Sequence, residues 1–446
     1  MILVQSIMGC TPSRTTAMSS ENNNDVPQAK PIADHPKQSS PPPKHSSSEP
    51  EAKPSKPEPI QEESEPPKVE ENTSPVEKEK EDEKQPDPYY DLILDEDVAN
   101  NTWPKKMEDI HKADKQSLMA QVMTREIFES LKDHKTKNGW TISRAINTGV
   151  TNPTSFMGCH AGDLESYNDF KPLFQGVIEK YHKGFSMETM KHVTDMDVNK
   201  IPSQLEDHSK DRIISTRIRC ARNLSFFPLN TCGTKETRLE IASLMEKVFE
   251  TLPEDLQGTF YRHTTMTEDE IKGWVDKHFL FRGKDKMQAA SGYHVDWPHG
   301  RGIFVSKDEH FLLWLNEGDH LRIISMQQDG DVKQVFDRLS RGVKAIEDGL
   351  KKVTGKDQVF MRDDVLGMIT CCPTNLGTAM RGGVHIMIPK LIKKIGFEEI
   401  DKIAREMNCQ ARGSSGEHSE VVDRVDLSNW RPVSYTHLTL PTIYSV

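Results

Sequence analysis

Residues 302–327 read GIFVSKDEHFLLWLNEGDHLRIISMQ, three apolar runs separated by the polar groups KDEH and NEGD. Short runs rich in Ile, Val, Phe, Leu and Trp between turn-forming residues predict strands, and connections this short join antiparallel neighbours. Immediately downstream, Val332, Val335, Phe336, Leu339, Val343, Ile346, Leu350 and Val353 fall on one face of a helix over 331–353. Upstream, Ile241, Leu244, Met245, Val248 and Leu252 keep the same period, and Thr267 with Glu270 forms a capping box ahead of Ile271 and Trp274. A further strand pair is expected at 365–372 (VLGMITCC) and 384–390 (VHIMIPK), split by a glycine-rich turn. Hairpin-joined strands flanked by long helices make an α+β domain, an antiparallel sheet with helices packed on it.

Ahead of this domain the texture is helical. Between about 105 and 195 no strand is evident, and 117–132 (SLMAQVMTREIFESLK) sets Leu118, Val122, Ile127 and Leu131 near one face of an expected single helix. The chain thus divides into a disordered Pro/Ser/Glu/Lys-rich tail (1–100), a small all-α domain (105–200), a larger sheet domain (205–430) and a tail without pattern (431–446). The first 88 residues hold 16 of the 27 prolines, 17 acidic and 10 basic residues, and none of the aromatics. Such a segment buries too little apolar surface to offset its ordering entropy. The net charge of −11 excludes nucleic-acid binding through bulk charge. No stretch of 18 apolar residues exists, and the seven scattered cysteines show no metal-ligand spacing, so a reducing, cytoplasmic setting and no protein-held metal are expected.

Five arginines sit at expected strand ends or turns: Arg217 and Arg219 in ISTRIRC, Arg322 in HLRIIS, Arg381 in GTAMRGG and Arg412 in QARGSS. A guanidinium fork suits bidentate phosphate recognition, so the set reads as a polyphosphate cradle. P-loop, protein-kinase and Rossmann readings lack their glycine loops. CPTNLGT (372–378) follows an apolar run and precedes a glycine turn, which places Cys372 at a site edge as an exposed thiolate among cations and leaves Cys371 as a buried hydrophobe.

CPTNLGT followed by RGGVHI resembles the signature of the phosphagen (guanidino) kinases, which pass the ATP γ-phosphate to a guanidinium. GVTNP, AGDLESY, STRIRCAR, HFLFRG, WLNEGDHLRIISMQ and RGSSGEH extend the resemblance in family order from about 112 to 429. It implies a small helical N-terminal domain and a larger antiparallel-sheet catalytic domain. It assigns Arg217, Arg219, Arg322, Arg381 and Arg412 to the phosphates of ATP or ADP with Mg²⁺, Ser215 beside them, and His278 near the adenine and ribose. Cys372 matches the cysteine that contacts the guanidino group, Glu417 a carboxylate that clamps it, and Glu317 a carboxylate directed toward the metal through water. Catalysis would then be positioning and electrostatics.

Only four residues (TSFM, 154–157) separate Asn152-Pro153 from Gly158, as in arginine kinases, whereas the matching loop of creatine kinases is longer. Arginine kinases also carry glutamate where Glu417 stands. The resemblance therefore implies arginine as substrate ahead of taurocyamine, lombricine or creatine, with the backbone N–H groups of Thr148, Gly149 and Val150 on its carboxylate. Active members read N-E-E-D-H, but residues 316–320 read N-E-G-D-H, so Gly318 stands in place of a guanidinium-orienting carboxylate. That loss could cost roughly 10² to 10⁴ in rate without abolishing nucleotide binding, which defines the rival reading of a catalytically impaired, membrane-tethered nucleotide binder. The family's C-terminal helix has no counterpart in 431–446. Oligomeric state is left as monomer or homodimer.

Met8-Gly9-Cys10-Thr11-Pro12-Ser13 fits M-G-x-x-x-S, a myristoylation pattern if translation starts at Met8, with Cys10 beside it for palmitoylation. Two acyl chains on a flexible tether would hold the protein at a membrane.

Overall fold

The computed structural model describes residues 92–192, 194–201, 212–280, 286–413 and 423–431. The N-terminal part is helical: α1 (Glu96–Ala99), α2 (Met107–Ile110), α3 (Leu118–Val122), α4 (Arg125–Leu131), α5 (Ile142–Thr151), α6 (Ser166–Asp169) and α7 (Lys171–Tyr181). The single helix expected over 117–132 is two. Met123 turns extended, and the Thr124 side chain accepts from the Ile127 N–H, so a local cap interrupts the helical ladder. Leu118 is buried as expected, together with Met119, Ala120, Met123 and Phe128, while Val122, Ile127 and Leu131 pack at the margin.

The larger domain's sheet has eight antiparallel strands in the order β2-β3-β4-β5-β1-β8-β10-β9. Their bounds are β1 (Ile213–Arg222), β2 (Gly258–Arg262), β3 (Gly302–Ser306), β4 (Phe311–Leu315), β5 (Leu321–Gln327), β8 (Met380–Met387), β9 (Cys409–Gly413) and β10 (Arg424–Asn429). The meander read from 302–327 is β3-β4-β5. Around the sheet lie α8 (Lys235–Phe249), α9 (Glu268–Asp276), α10 (Lys286–Ser291), α11 (Val332–Thr354), α12 (Pro389–Ile395) and α13 (Phe397–Glu406). Asp331 caps α11 by accepting from the Gln334 N–H, and Gly355, at φ 68°, ends it. The apolar stripe of α11 is buried on the sheet, and Gly342 allows the close approach, since a Cβ there would lie 2.3 Å from Phe311. The capping box at Thr267 and Glu270 is present at the start of α9.

The expected pairing of 365–372 with 384–390 does not form. Residues 367–368 make a two-residue strand, β7 (Gly367–Met368), with β6 (Arg362–Asp363), whereas β8 pairs with β1 and β10. Beyond β7 the backbone finds other partners. The Cys371 N–H donates to Asp319 Oδ1 at 3.0 Å, and its carbonyl accepts from the Ala161 N–H at 2.8 Å. Tyr167 Oη donates to the Thr370 carbonyl at 2.7 Å. These bonds satisfy buried polar groups without a ladder and tie the apolar run to the helical domain. Leu366, Ile369, Cys371 and Leu376 accordingly share one core with Tyr167, Phe170 and Phe174. Pro389 lacks an N–H and opens α12 instead of extending β8. Among the described residues, no helix is long and apolar enough to cross a membrane.

Candidate active site

Alternation along β1 sends Arg217 and Arg219 to one face of the sheet, and the antiparallel register puts Arg381 of β8 directly opposite Arg219 and His385 opposite Ser215. On the other side of β8, Asp426 of β10 faces both His385 and Arg412 of β9. Four neighbouring strands thus present their polar side chains on a common face.

Two cavities occupy that face. The first, of about 450 Å³, is lined by Ser215, Arg217, His278, Trp314 and His385. The second, of about 680 Å³, is lined by Thr148, Glu317, Gly318, Arg322 and Cys372. Arg219, Arg381 and Arg412 line both. All five sequence-identified arginines, Ser215, His278, Glu317 and Cys372 therefore fall in one continuous region. Glu417 lies outside the described residues, as do Gly9, Cys10 and 432–446.

Each group has a local cause for its position. His278 follows α9 with φ 60° and donates its N–H to the Val275 carbonyl, which turns it toward the first cavity. Ser215 Oγ lies 3.0 Å from His385 Nδ1, and the Arg217 guanidinium sits 5.6 Å from the centre of the Trp314 ring. Arg381 donates to Ser428 Oγ at 2.7 Å, and Arg412 to Gln410 Oε1 at 2.7 Å. Arg322 Nη2 lies 3.2 Å from Glu317 Oε2 and 3.9 Å from Asp319 Oδ2.

The electrostatics follow from this crowding. Burial, with Arg322 beside it, pulls the Arg217 pKa down to about 10. Burial also drives Arg219 well below the usual guanidinium range, reinforced by Arg217, Arg322 and Arg381. A cluster of like charges in a partly desolvated cleft is relieved by an anion. Burial opposes the charge of Glu317, yet Arg322 and the Gly318 N–H, which donates to Oε2 at 2.7 Å, hold its carboxyl below the ordinary range.

Cys372 is half-buried, with Sγ 3.1 Å from Thr374 Oγ1. Burial pushes its thiol up and the Thr374 hydrogen bonds only partly offset that, so the resting side chain is a thiol, not the exposed thiolate expected from the polar turn. Cys371 is fully buried and donates to the Gly318 carbonyl at 3.1 Å, as a structural cysteine.

The backbone donors expected at Thr148, Gly149 and Val150 need correction. Thr148 reaches the second cavity, but all three N–H groups lie in α5, and that of Gly149 donates to the Gly158 carbonyl at 2.9 Å. Thr148 Oγ1 bonds His160 Nδ1 at 3.0 Å, and Gly149 and Val150 are enclosed by protein. The loop that follows lines the cavity instead, through Ser155, Phe156, Met157, Gly158 and His160.

Tyr181, Tyr293, Arg405 and Trp430 also line the second cavity and carry no sequence signal. The Arg405 guanidinium sits 4.1 Å from the centre of the Trp430 ring, while Arg431 lies 3.9 Å from Trp430 and 5.5 Å from Tyr181. Arg405 reads as an ordinary polar position of an amphipathic helix; only the fold places it at a cavity.

The chain matches the N-terminal domain of the ATP:guanido phosphotransferases over residues 113–179 and their C-terminal catalytic domain over 240–436. It is 40% identical over 334 residues to the arginine kinase of Polybetes pythagoricus, spanning 74% of this chain and 90% of that one. Identity to the arginine kinase of Limulus polyphemus is 40% over 335 residues, with the same coverage. Among solved structures, a lombricine kinase superposes with a TM-score of 0.69 at 33% identity, covering 76% of this chain and 90% of that one. The duplicated taurocyamine kinase from Schistosoma mansoni, with bound transition state analog components, gives 0.70 at 32% identity over 79% of this chain and 48% of that chain. With both domain models matched in order and the sheet that unites the arginines shared, the chain belongs to the ATP:guanido phosphotransferase family.

Proposed function

We propose that the protein catalyses reversible transfer of the γ-phosphate of ATP to a guanidino nitrogen of L-arginine. The observation that carries this reading is the pair of cavities with Arg219, Arg381 and Arg412 in their common wall. A nucleotide in the first would hold its base near His278 and its phosphates against Ser215 and the arginines. An acceptor in the second would lie beside Glu317 and Cys372, with Glu417 supplying a further carboxylate. The acceptor nitrogen attacks phosphorus, the bond from phosphorus to the ADP oxygen breaks, and the guanidinium releases one proton. Charge gathers on the transferred oxygens, where fixed guanidinium groups stabilise it without reorganising.

Among the described residues no cluster of three His, Cys, Asp or Glu could hold a metal ion. Mg²⁺ would enter with the nucleotide phosphates and offset their charge, and Glu317, in the wall of the second cavity, is the carboxylate that would face it through water. With Thr148, Gly149 and Val150 enclosed in α5 and the Gly149 N–H on the Gly158 carbonyl, the substrate carboxylate falls to the 155–158 loop. The N–H groups of Phe156, Met157 and Gly158 have no hydrogen-bond partner among the described residues.

Arginine is favoured by the short loop at 154–157 and by the arginine kinases among the relatives. Turnover of MgATP with arginine, taurocyamine, lombricine and creatine tests the assignment. Preference for taurocyamine or lombricine would move the substrate within the family. The absence of a side chain at Gly318 favours a second reading, a nucleotide binder with impaired transfer. That reading predicts MgATP binding with no turnover on any of the four. Acylation at Gly9 and Cys10 completes the proposal and places the protein on the cytoplasmic face of a membrane. Chain expressed from Met8 should take up labelled myristate and lose it in Gly9→Ala.

A further inference from the structure

Tyr293 lies between α10 and β3, in a segment without periodicity, and only 8% of it is exposed. It nevertheless lines the second cavity. Its backbone is fixed at both ends: the N–H donates to the Gln288 carbonyl at 3.1 Å, and the carbonyl accepts from Arg301 Nη2 at 2.5 Å. The ring meets His160 edge-on at 5.4 Å. It also fills the room beside Gly318, where a Cβ would lie 3.2 Å from Tyr293 Cε2 and 3.6 Å from Cδ2.

Buried tyrosines ordinarily spend their hydroxyl on a hydrogen bond. The Tyr293 hydroxyl has no partner among the described residues, and its oxygen is not sealed off with the other unpaired buried atoms. A nine-tenths buried phenol whose hydroxyl has no partner among the described residues, with an edge on the cavity, is a group suited to a ligand.

We infer that Tyr293 binds the guanidinium of the acceptor substrate through its phenol oxygen, and so sets acceptor specificity beside Glu317. This rests on reading the second cavity as the guanidino site. A planar cation with five N–H donors matches a neutral oxygen acceptor and one carboxylate. Burial pushes the phenol pKa well up, with Cys371, Cys372, Asp319 and Glu317 adding to it, so the hydroxyl stays protonated throughout the working range. The Tyr293 ring also bears on position 318: a side chain there could enter only if the ring gave way by a few tenths of an ångström.

Steady-state transfer from MgATP, and titration of arginine into the full-length protein with MgADP, test this. Tyr293→Phe should raise the KM and Kd for arginine roughly 10-fold, the scale of a hydrogen bond to a charged group, with the KM for ATP within twofold. Tyr293→Leu, which also lacks the hydroxyl, should raise the KM and Kd for arginine at least as much. Gly318→Glu alone should lower turnover, and Tyr293→Ala in that background should recover part of it by opening room. Arginine binding unchanged in Tyr293→Phe and Tyr293→Leu overturns the inference. So does a parallel rise in the KM for ATP, which would make Tyr293 a support for Arg322. Tyr293→Phe keeps the ring and hence the packing, and the titration reads binding even where turnover is lost. A wild type that neither binds nor phosphorylates any guanidino compound overturns the underlying reading itself, a result distinct from wild-type binding with indifferent variants.

Discussion

Arg219 of β1 and Arg381 of β8 are direct partners in the antiparallel ladder, two guanidinium groups side by side on one face of the sheet. Like charges opposed across strands destabilise, and here Arg217 and Arg322 deepen the repulsion around Arg219. Binding of a polyanion converts that stored repulsion into attraction. Arg219→Ala or Arg381→Ala should therefore lower kcat by roughly 10²- to 10³-fold, the scale of removing one preorganised donor. The Kd for MgATP should rise less than tenfold, because other arginines still hold the phosphates. Turnover within twofold of wild type in both variants would place these arginines outside the chemistry.

The adjacent cysteines differ in burial and should differ in reactivity. Cys372 is half-buried at the second cavity, whereas Cys371 is enclosed with its thiol on the Gly318 carbonyl. Iodoacetamide should label Cys372 at least ~10-fold faster, and the rate should keep climbing above the ordinary thiol range, since burial holds the pKa up. MgADP with arginine should protect it. Equal labelling, or a rate already at plateau at neutral pH, would contradict the resting thiol described above.

Packing at Gly149 gives a stability test close to the site. A Cβ there would lie 2.4 Å from Met119 Cε and 2.8 Å from the Gly158 carbonyl oxygen. The methionine can move, but the backbone oxygen belongs to the bond that anchors the cavity loop. Gly149→Ala should destabilise by about 1–3 kcal/mol in urea unfolding and raise the KM for the acceptor more than that for ATP. An unchanged midpoint would mean that the loop shifts freely.

Three buried histidines make stability pH-dependent. Burial lowers the pKa of His160 and of His182 to about 4, and that of His320 to about 3, from 6.5. The unfolded chain gains these protons near pH 6.5, while the folded protein resists them until about 4. Their stabilisation is therefore complete above pH 6.5 and is lost as pH falls toward 4, and for His320 toward 3, worth at most about 3 kcal/mol each for His160 and His182 and about 5 for His320. The urea midpoint should drop between pH 7 and 5, less steeply in His160→Gln. A midpoint independent of pH in that window would show these rings to be solvated.

What the linear chain determined was set by local physics. The meander at 302–327 and the helix after it needed only alternation, turn residues and a 3.6-residue stripe, all short-range. The five arginines were legible as site candidates because a guanidinium amid apolar strand residues has little purpose in a core, and the fold does bring them to the two cavities. Other features were decided by contacts far apart in the chain. The run 365–372 has strand composition, yet Asp319, Ala161 and Tyr167 satisfy its backbone more effectively than a ladder would. Thr148, Gly149 and Val150 looked like loop donors, but α5 extends through Thr151 and the Gly149 N–H goes to the Gly158 carbonyl. Tyr293 and Arg405 became cavity residues only when segments over a hundred residues apart closed around one space. Secondary structure follows from periodicity along the chain; the identity of a cavity wall depends on which distant backbones come together, and periodicity does not encode that.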